Sequence, residues 1–276
     1  MSEDAAVRLI EQGKVLGKQN RYEEALAAFE QALSLEPENS AAWGGKALVL
    51  VYLGRQEEAL DASGQAISLN PENAHAYNAR GIALGELGRY EEALKSFDRA
   101  IEKNSENEGS YFNKALALQQ LGRYEEALIA CEQSIAKNPN NAQAHDTRGF
   151  LLWMLRHPGE ALAAYDQAIK LQPAAVLAHN GRGNALRELG RAEEALAAYS
   201  RAAELDPTFV YAHNGRGFML QTLGRYIEAL QAYEQAIACD PEFAPAWHNR
   251  GDVLARLGRP TEAQEAYQRA HALGYG

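Results

Sequence analysis

Cysteine and long apolar runs are both scarce in this sequence. Of 276 residues only Cys131 and Cys239 are cysteines, and neither belongs to a CxxC pair, which excludes a disulfide framework. No uninterrupted apolar stretch approaches the roughly 20 residues needed to span a bilayer. The amino terminus, MSEDAAVRLIEQGK, lacks the basic and apolar regions of a secretory signal, so the sequence predicts a cytoplasmic protein.

Positive charge is also in short supply. Lys and Arg number 27 against 37 Asp and Glu, which gives a formal net charge of −10 and a pI of about 5.3. An acidic surface repels phosphate groups, so neither nucleic acid nor an anionic membrane is an expected partner. The chain is instead rich in Ala, Leu and Glu, which are strong helix formers, and this composition favours an all-helical fold.

An internal repeat of 34 residues runs through almost the whole chain. The phrase GRYEEAL at Gly88 recurs at Gly122, and the related GRAEEAL and GRYIEAL begin at Gly190 and Gly224. A fixed period of this length is the signature of a stacked helical array. The period predicts a tail at residues 1–5 followed by one domain, 6–276, of eight repeats: 6–39, 40–73, 74–107, 108–141, 142–175, 176–209, 210–243 and 244–276.

Each repeat carries the same few small, aromatic and turn-forming positions. A small residue on the predicted first helix and an Ala on the second allow two helices to approach closely. Gly in the LGR phrase predicts the turn between them, and Pro predicts the end of the repeat. An aromatic stripe on the second helix is predicted to be core: Phe29, Phe97, Tyr165, Tyr199, Tyr233 and Tyr267, with Ser63 and Cys131 as the exceptions.

This order of small, aromatic, Ala and Pro positions resembles the tetratricopeptide repeat over residues 6 to 276. The resemblance implies an all-α, right-handed superhelical solenoid of antiparallel helix hairpins, in which first helices line a concave groove. Its implied function is non-enzymatic. The chain is expected to be a scaffold that binds a protein, either a peptide or a helix, in that groove.

No constellation for catalysis, metal or cofactor binding is found in the sequence. His145, His179 and His213 stand 34 residues apart, one helix-packing distance of roughly 8–10 Å per repeat, so they cannot share a metal ion. Pairs such as Glu23 and Glu24 lie where second helices are predicted to begin, next to the positive end of the helix dipole. We therefore expect an enzyme activity to be absent and no cofactor to be needed.

One slot of the first helix carries a basic residue in seven of the eight repeats. Such a row has two interpretations: a stripe that binds an acidic ligand, or structural ion pairs with acidic residues of a neighbouring helix, which the negative net charge favours. The residues are Lys46, Arg80, Lys114, Arg148, Arg182, Arg216 and Arg250.

The positions that differ between repeats on the first helices are the candidate binding groove. Large apolar side chains there predict a contact patch with a central cluster around Phe150 and Trp153, which Phe112 and Phe218 approach. The asparagines have two open interpretations, a ladder that holds a peptide backbone or ordinary solvated residues. The candidate groove residues are Tyr52, Asn78, Phe112, Asn113, Phe150, Trp153, Met154, Asn180, Asn184, Tyr211, Asn214 and Phe218.

Two other functions stay open beside the peptide-binding scaffold. The last repeat has no additional capping helix in this sequence, so its apolar positions, such as Tyr267 and Leu273, favour self-assembly into a homo-oligomer. The array is also consistent with a regulatory module of a larger protein. Recognition of a terminal carboxylate by the clamp of this family is not expected, because no three consecutive repeats carry its Lys and Asn pattern.

Overall fold

The structure, a computed structural model, describes residues 2–275, and no strand occurs among them. None of the described helices is both long and apolar enough to cross a membrane. The described residues form sixteen helices: α1 Ser2–Lys18, α2 Tyr22–Leu35, α3 Ser40–Tyr52, α4 Gln56–Leu69, α5 Ala74–Glu86, α6 Tyr90–Lys103, α7 Glu108–Gln120, α8 Tyr124–Lys137, α9 Ala142–Met154, α10 Pro158–Leu171, α11 Val176–Glu188, α12 Ala192–Leu205, α13 Val210–Thr222, α14 Tyr226–Cys239, α15 Ala244–Arg256 and α16 Pro260–Ala272.

The helices form two compact units, Met1–Pro139 with α1 to α8 and Asn140–Gly276 with α9 to α16. In each unit an odd-numbered helix packs on the even-numbered helix that follows it, and the pairs stack in chain order. The predicted all-α array of antiparallel hairpins is thus confirmed in each unit. At the amino end α1 already begins at Ser2, so residues 2–5 extend the first helix and do not form a separate tail; Met1 lies outside the described residues.

The turn between the two helices of a repeat needs a residue in the left-handed region. At Gly54 φ is +73°, and the next residue, Arg55, donates its N–H to Leu50 O at 2.9 Å, which closes the turn behind α3. Glycine adopts this φ without a steric penalty. Two repeats place other residues here, Asn20 with φ 60° and Arg156 with φ 65°. The glycines that share the turn are Gly54, Gly88, Gly122, Gly190, Gly224 and Gly258.

The aromatic stripe of the second helices packs directly on glycine backbone. The Tyr199 ring is 1% exposed and lies so close to Gly183 and Gly215 that a Cβ atom on either glycine would fall 2.7 or 2.6 Å from it. Gly183 belongs to the first helix of the same repeat, and Gly215 to that of the following repeat. Phe29 and Tyr165 likewise lie between two glycines, one from the first helix of their own repeat and one from that of the next. The prediction that the stripe is core is confirmed at the five buried rings, whereas Tyr267 of the last repeat is half-buried.

Where the ring is missing, the glycine is missing too. The two repeats with Ser63 and Cys131 in the aromatic slot have Ala47 and Ala115 in the glycine slot, and all four residues are buried. A smaller partner leaves room for the Cβ atom that the ring would exclude. Helix α4 and helix α8 therefore keep the close approach of the hairpin with a different pair of side chains, and Cys131 is a buried free cysteine.

Seven of the eight second helices begin with an arginine–glutamate ion pair across the first turn. Arg89 stands at the amino-terminal cap of α6, and its Nε and Nη2 atoms donate to the two carboxylate oxygens of Glu92, both at 2.8 Å. The same arginine and glutamate, three residues apart, begin α2, α4, α8, α12, α14 and α16. These carboxylates lie at helix starts, as the sequence predicted, and exposed pairs of this kind contribute little to stability.

Arg156, in the turn after α9, occupies the left-handed position that is glycine in six other repeats. A β-carbon at positive φ costs roughly 1–2 kcal/mol, and the side chain is 82% exposed, so its loss removes little packing. We expect Arg156→Gly to raise the urea midpoint by an amount equivalent to about 1 kcal/mol, as measured by circular dichroism. Gly190→Ala, in the same turn of the next repeat, is the opposite control and should lower it; a destabilised Arg156→Gly protein would contradict this account of the turn.

Candidate functional site

The first helices of the repeats present their variable side chains on one face, which we call the first-helix face. In the unit Asn140–Gly276 this face is built by α9, α11, α13 and α15, each in contact with the next. Its most exposed large apolar residues are Leu177 at 62%, Tyr211 at 56% and Phe218 at 40%. Tyr211 and Phe218 are seven residues apart on α13, so they lie on one side of that helix, and Leu177 occupies the slot of Tyr211 on α11.

The predicted central aromatics Phe150 and Trp153 are half-buried, and polar groups of α11 contact Trp153 and the exposed Phe218. Trp153 lies with its ring centroid 6.3 Å from that of Phe150 and donates Nε1–H to Glu188 Oε1 at 2.7 Å. Phe218 lies under the guanidinium of Arg187, with 5.6 Å from Cζ to the ring centroid. Trp153 of α9 and Phe218 of α13 therefore contact two consecutive residues of α11. Met154, the last residue of α9, is also half-buried.

Most of the candidate asparagines use their side-chain oxygen within the fold. Asn113 donates to Asn78 Oδ1 at 3.3 Å, and the equivalent pair in the other unit, Asn249 and Asn214, is joined at 3.1 Å. In both pairs the donor stands 35 residues after the acceptor, on the next first helix. Asn184 accepts from the Tyr199 hydroxyl at 2.7 Å. The two asparagine pairs join neighbouring repeats, and Asn78, Asn184 and Asn214 keep their amide N–H groups as the atoms that a ladder would offer.

Two acceptors on the first-helix face have no such donor. Asp146 Oδ1 and Asn180 Oδ1 are buried and have no hydrogen-bond partner among the described residues. The residues 35 positions later are Gly181 and Gly215, which carry no side chain. Both glycines are needed by rings, because a Cβ atom there would collide with Tyr165 or Tyr199. Because glycine is needed at these two positions to accommodate a tyrosine ring, neither position can supply a side-chain donor to Asp146 or Asn180.

Burial without a partner changes the ionisation of Asp146. Because desolvation disfavours the charged carboxylate, the pKa of Asp146 is raised to about 6. Burial, and secondly the nearby charge of Asp146, also raise the pKa of the Tyr165 hydroxyl. Asp146 was not predicted as a site residue, although it occupies the same repeat position as Asn78, Asn180 and Asn214.

In the unit Met1–Pro139 the candidate residues are fewer. Tyr52 is 55% exposed and stacks on Tyr22, with 4.9 Å between ring centroids and 13° between ring planes. Phe112 and Asn113 on α7 are half-buried. Tyr22 and the neighbouring glycines were not predicted as site residues. Gly17 offered a signal in the sequence, because other repeats carry Val51 or Trp153 at the same position.

Comparison with known families agrees with these repeats. Tetratricopeptide repeat models match residues 10–74, 46–108, 78–142 and 244–274, and a TPR repeat model matches residues 183–224 and 219–258. The chain belongs to the tetratricopeptide repeat (TPR) family. TPR proteins are generally non-catalytic scaffolds, and the repeats imply a role in protein–protein interaction for this chain.

Solved TPR structures share the fold at low identity. The chain is similar to YrrB, described as a TPR protein with an unusual peptide-binding site, at 25% identity and a TM-score of 0.60, over 68% of this chain and 97% of YrrB. It is similar to pilF of Pseudomonas aeruginosa at 20% and 0.68, over 76% and 96%, and to the APC/C hetero-tetramer Cut9–Hcn1 at 17% and 0.67, over 96% and 52%. Comparison with curated protein sequences gives no significant match.

The basic slot of the TPR repeats is used for ion pairs at four positions. Each pair joins the first-helix cation to an acidic residue 16 positions earlier, on the second helix of the preceding repeat. Arg216 has Ser200 at that position and donates to Gln235 at 3.2 Å. The ion-pair interpretation is confirmed for Lys46–Glu30 at 2.9 Å, Lys114–Asp98 at 2.7 Å, Arg182–Asp166 at 2.7 Å and Arg250–Glu234 at 3.4 Å.

The histidine slot has a structural role that explains which residues occupy it. His179 and His213 place Nε2 at 3.0 and 2.9 Å from the carbonyl oxygen of the proline six residues earlier. Trp43 and Trp247 donate Nε1–H to the equivalent carbonyl at 2.8 and 3.0 Å. In these four repeats a ring N–H therefore fastens the loop before the first helix. Among residues 2–275 no group of three His, Cys, Asp or Glu side chains is arranged to hold a metal ion.

The last TPR repeat is partly covered by its own neighbours. Tyr267 donates its hydroxyl to Asp252 at 2.8 Å, and the His248 ring lies 5.4 Å from the Tyr267 ring and 5.1 Å from that of Tyr275. Leu273 is half-buried. The residues named for self-assembly are thus less exposed than Leu177 or Tyr211.

The raised pKa of Asp146 predicts how stability depends on pH. The folded protein holds this proton more tightly than the unfolded chain, whose Asp ionises near 3.8, so the free energy of unfolding falls as pH rises from about 4 to 6. Asp146→Asn does not ionise and should raise the urea midpoint at about pH 7.5, by the equivalent of about 1–3 kcal/mol. The difference from wild type should close towards pH 4. A difference independent of pH would show that the carboxylate is not desolvated.

Proposed function

We propose that this TPR protein binds an extended or helical segment of a partner protein on its first-helix face, with α11 and α13 as the main contact. The observation that carries the proposal is the exposure of Leu177, Tyr211 and Phe218 on two adjacent helices. A group of large, solvent-exposed apolar side chains favours binding of a partner protein, because the complex removes their apolar area from water.

Polar groups between these apolar residues support a peptide ligand. Asn180 lies three residues after Leu177 on α11, and Asn214 lies between Tyr211 and Phe218 on α13. Apolar positions with amides between them can bury alternate side chains of a segment while the amides contact its backbone. The peptide-binding site named for YrrB, at 25% identity, agrees with this class of ligand.

The other candidate residues belong to the same proposal, but we expect them to differ in how much they contribute to binding. Trp153 and Phe150 extend the apolar surface along α9, but both are half-buried, so we expect them to support the surface and to contribute less than Tyr211. Tyr52, Asn78, Phe112 and Asn113 belong to the unit Met1–Pro139.

Substitution on α13 tests the proposal. Truncating an interfacial aromatic costs about 1.4–3 kcal/mol, so Tyr211→Ala and Phe218→Ala should each weaken partner binding by roughly 10-fold to 150-fold. The partner is first captured with the wild-type chain and identified, and its affinity is then measured by calorimetry with the purified protein. Melting temperatures should stay within a few degrees, because both side chains are exposed.

Ile227 supplies the matched control. It is 68% exposed on α14, a second helix, so Ile227→Ala removes a similar apolar area from the opposite side of the repeat. Unchanged affinity in the α13 variants, or a loss on Ile227→Ala, would contradict the first-helix face as the binding surface.

A further inference from the structure

A second concave site lies on the first-helix face of the unit Met1–Pro139, among α1, α3 and α5. Its cavity has a volume of about 630 Å³, within the range of small-ligand and side-chain pockets. The Phe29 ring, Leu48 and Val49 line it from below, and Tyr22 and Tyr52 stand at one side as a stacked pair. We call this cavity the amino-terminal pocket. It is independent of the surface proposed on α11 and α13.

The pocket exists because glycine replaces larger residues at two slots of the first helices. Gly17 stands where later repeats carry Val51, Trp153 or Gln221, and Gly44 stands where they carry Asn78 or Asn214. Two side chains that would otherwise fill the space are therefore absent. Gly44 also has a packing role, since its Cβ atom would lie 3.2 Å from Asn73 Nδ2.

Gly17 has no packing reason to be glycine. A Cβ atom on Gly17 meets nothing within 4 Å, and its φ is not in the left-handed region. Glycine inside a helix lowers stability by roughly 0.5–1 kcal/mol relative to alanine. Gly13 and Gly45, in contrast, are required by the Phe29 ring, with which a Cβ atom would collide. The effect of Gly17 that the structure shows is an open pocket.

The charges around the pocket select among ligands. In a protein of net charge −10, the residues that line it include Lys14, Lys18 and His75 but no Asp or Glu. Lys14 pairs with Glu11 at 2.6 Å, whereas Lys18 forms no ion pair with any described residue. A smaller cavity of about 300 Å³ beside Gly85, the residue equivalent to Gly17, contains Glu86 and no cation. The excess of cations is therefore particular to the amino-terminal pocket.

We infer that the amino-terminal pocket binds an aromatic side chain of a partner segment that stands next to an Asp or Glu. The ring lies on the Phe29, Leu48 and glycine floor and against the tyrosine pair, where offset or edge contacts between rings are favourable. The neighbouring carboxylate lies at the rim and pairs with Lys18, with the His75 imidazole across the opening as a further donor. A basic residue beside the ring would meet like charge.

Short peptides test the inference directly. The probes are N-acetyl-Ser-Asp-Phe-Ser-amide and two versions with Asn or Lys in place of Asp, titrated to about 5 mM so that a Kd near 1 mM, about 4 kcal/mol, is measurable. Binding is followed by the backbone amide signals of Gly13, Gly17, Gly44 and Gly45 in ¹⁵N NMR spectra. The Asp peptide should shift these four signals saturably, the Asn peptide should bind at least about 3-fold more weakly, and the Lys peptide should bind most weakly of the three.

Two variants with matched controls separate the pocket from other surfaces. Gly17→Leu fills the cavity and, because nothing opposes its Cβ atom, keeps the fold; it should abolish the shifts of Gly13, Gly44 and Gly45. Gly64→Leu makes the same change on the second helix α4, where a Cβ atom also meets nothing within 4 Å, and should leave binding unchanged.

Lys18→Gln should reduce the affinity for the Asp peptide to that for the Asn peptide, whereas Lys170→Gln, in the last turn of α10, should have no effect. Absence of saturable shifts with all three peptides, equal affinity for the Asp and Lys peptides, or unaltered binding to Gly17→Leu would each overturn the inference. None of these results depends on the α13 variants, so the two proposals can fail separately.

Discussion

In three of the eight repeats the aromatic ring of the second helix lies between the backbones of two consecutive first helices, and glycine at both contact points makes this possible. Phe29, Tyr165 and Tyr199 show the full arrangement. A ring buried in this way contributes several kcal/mol of apolar burial, and it joins three helices at one point. Because this contact leaves no room for a β-carbon, the first-helix residue of the same repeat is glycine in all six repeats that carry the ring.

The same contact shapes the surface where binding is proposed. Gly181 and Gly215 accommodate rings, so they cannot supply the amide that Asn113 and Asn249 supply elsewhere, and Asp146 and Asn180 are left without donors. An unsatisfied buried acceptor costs roughly 1–3 kcal/mol, and for Asp146 this appears as a raised pKa. At Gly181 and Gly215 the close packing of a core ring therefore also determines which polar groups of the first-helix face lack a donor.

The repeat pattern predicted the fold because each recurring residue has a local physical reason. Glycine at positive φ, alanine and glycine at helix contacts, and arginine with glutamate at second-helix starts are all readable from the period alone. The bounds of α3 to α15 follow the same register. Residues 2–5 were assigned to a tail because they precede the first repeat, yet they continue α1, since nothing in SEDA ends a helix.

The candidate site was less predictable because it depends on departures from the pattern. Period and slot identified Tyr211 and Phe218, but the use of Asn78, Asn184 and Asn214 inside the fold depends on neighbours 15 or 35 residues away. Whether a slot is empty, as at Gly17, depends on what surrounds it in three dimensions. Glycine at a position where other repeats carry large side chains is the sequence signal for an empty slot of this kind.

Exchange between ring and glycine is tested most directly by a double-mutant cycle in the fifth repeat, with Gly149→Ala, Tyr165→Cys and the double variant compared by urea midpoint. The double variant copies the Ala115 and Cys131 pair that the fourth repeat already contains. Gly149→Ala should destabilise the wild-type chain, because its Cβ atom would lie 2.8 Å from the Tyr165 ring. In the Tyr165→Cys background the same change should be neutral or stabilising, because the smaller thiol side chain leaves room for the Cβ atom.

The predicted coupling energy between the two substitutions is about 1–3 kcal/mol. Equal effects of Gly149→Ala in both backgrounds would contradict the account.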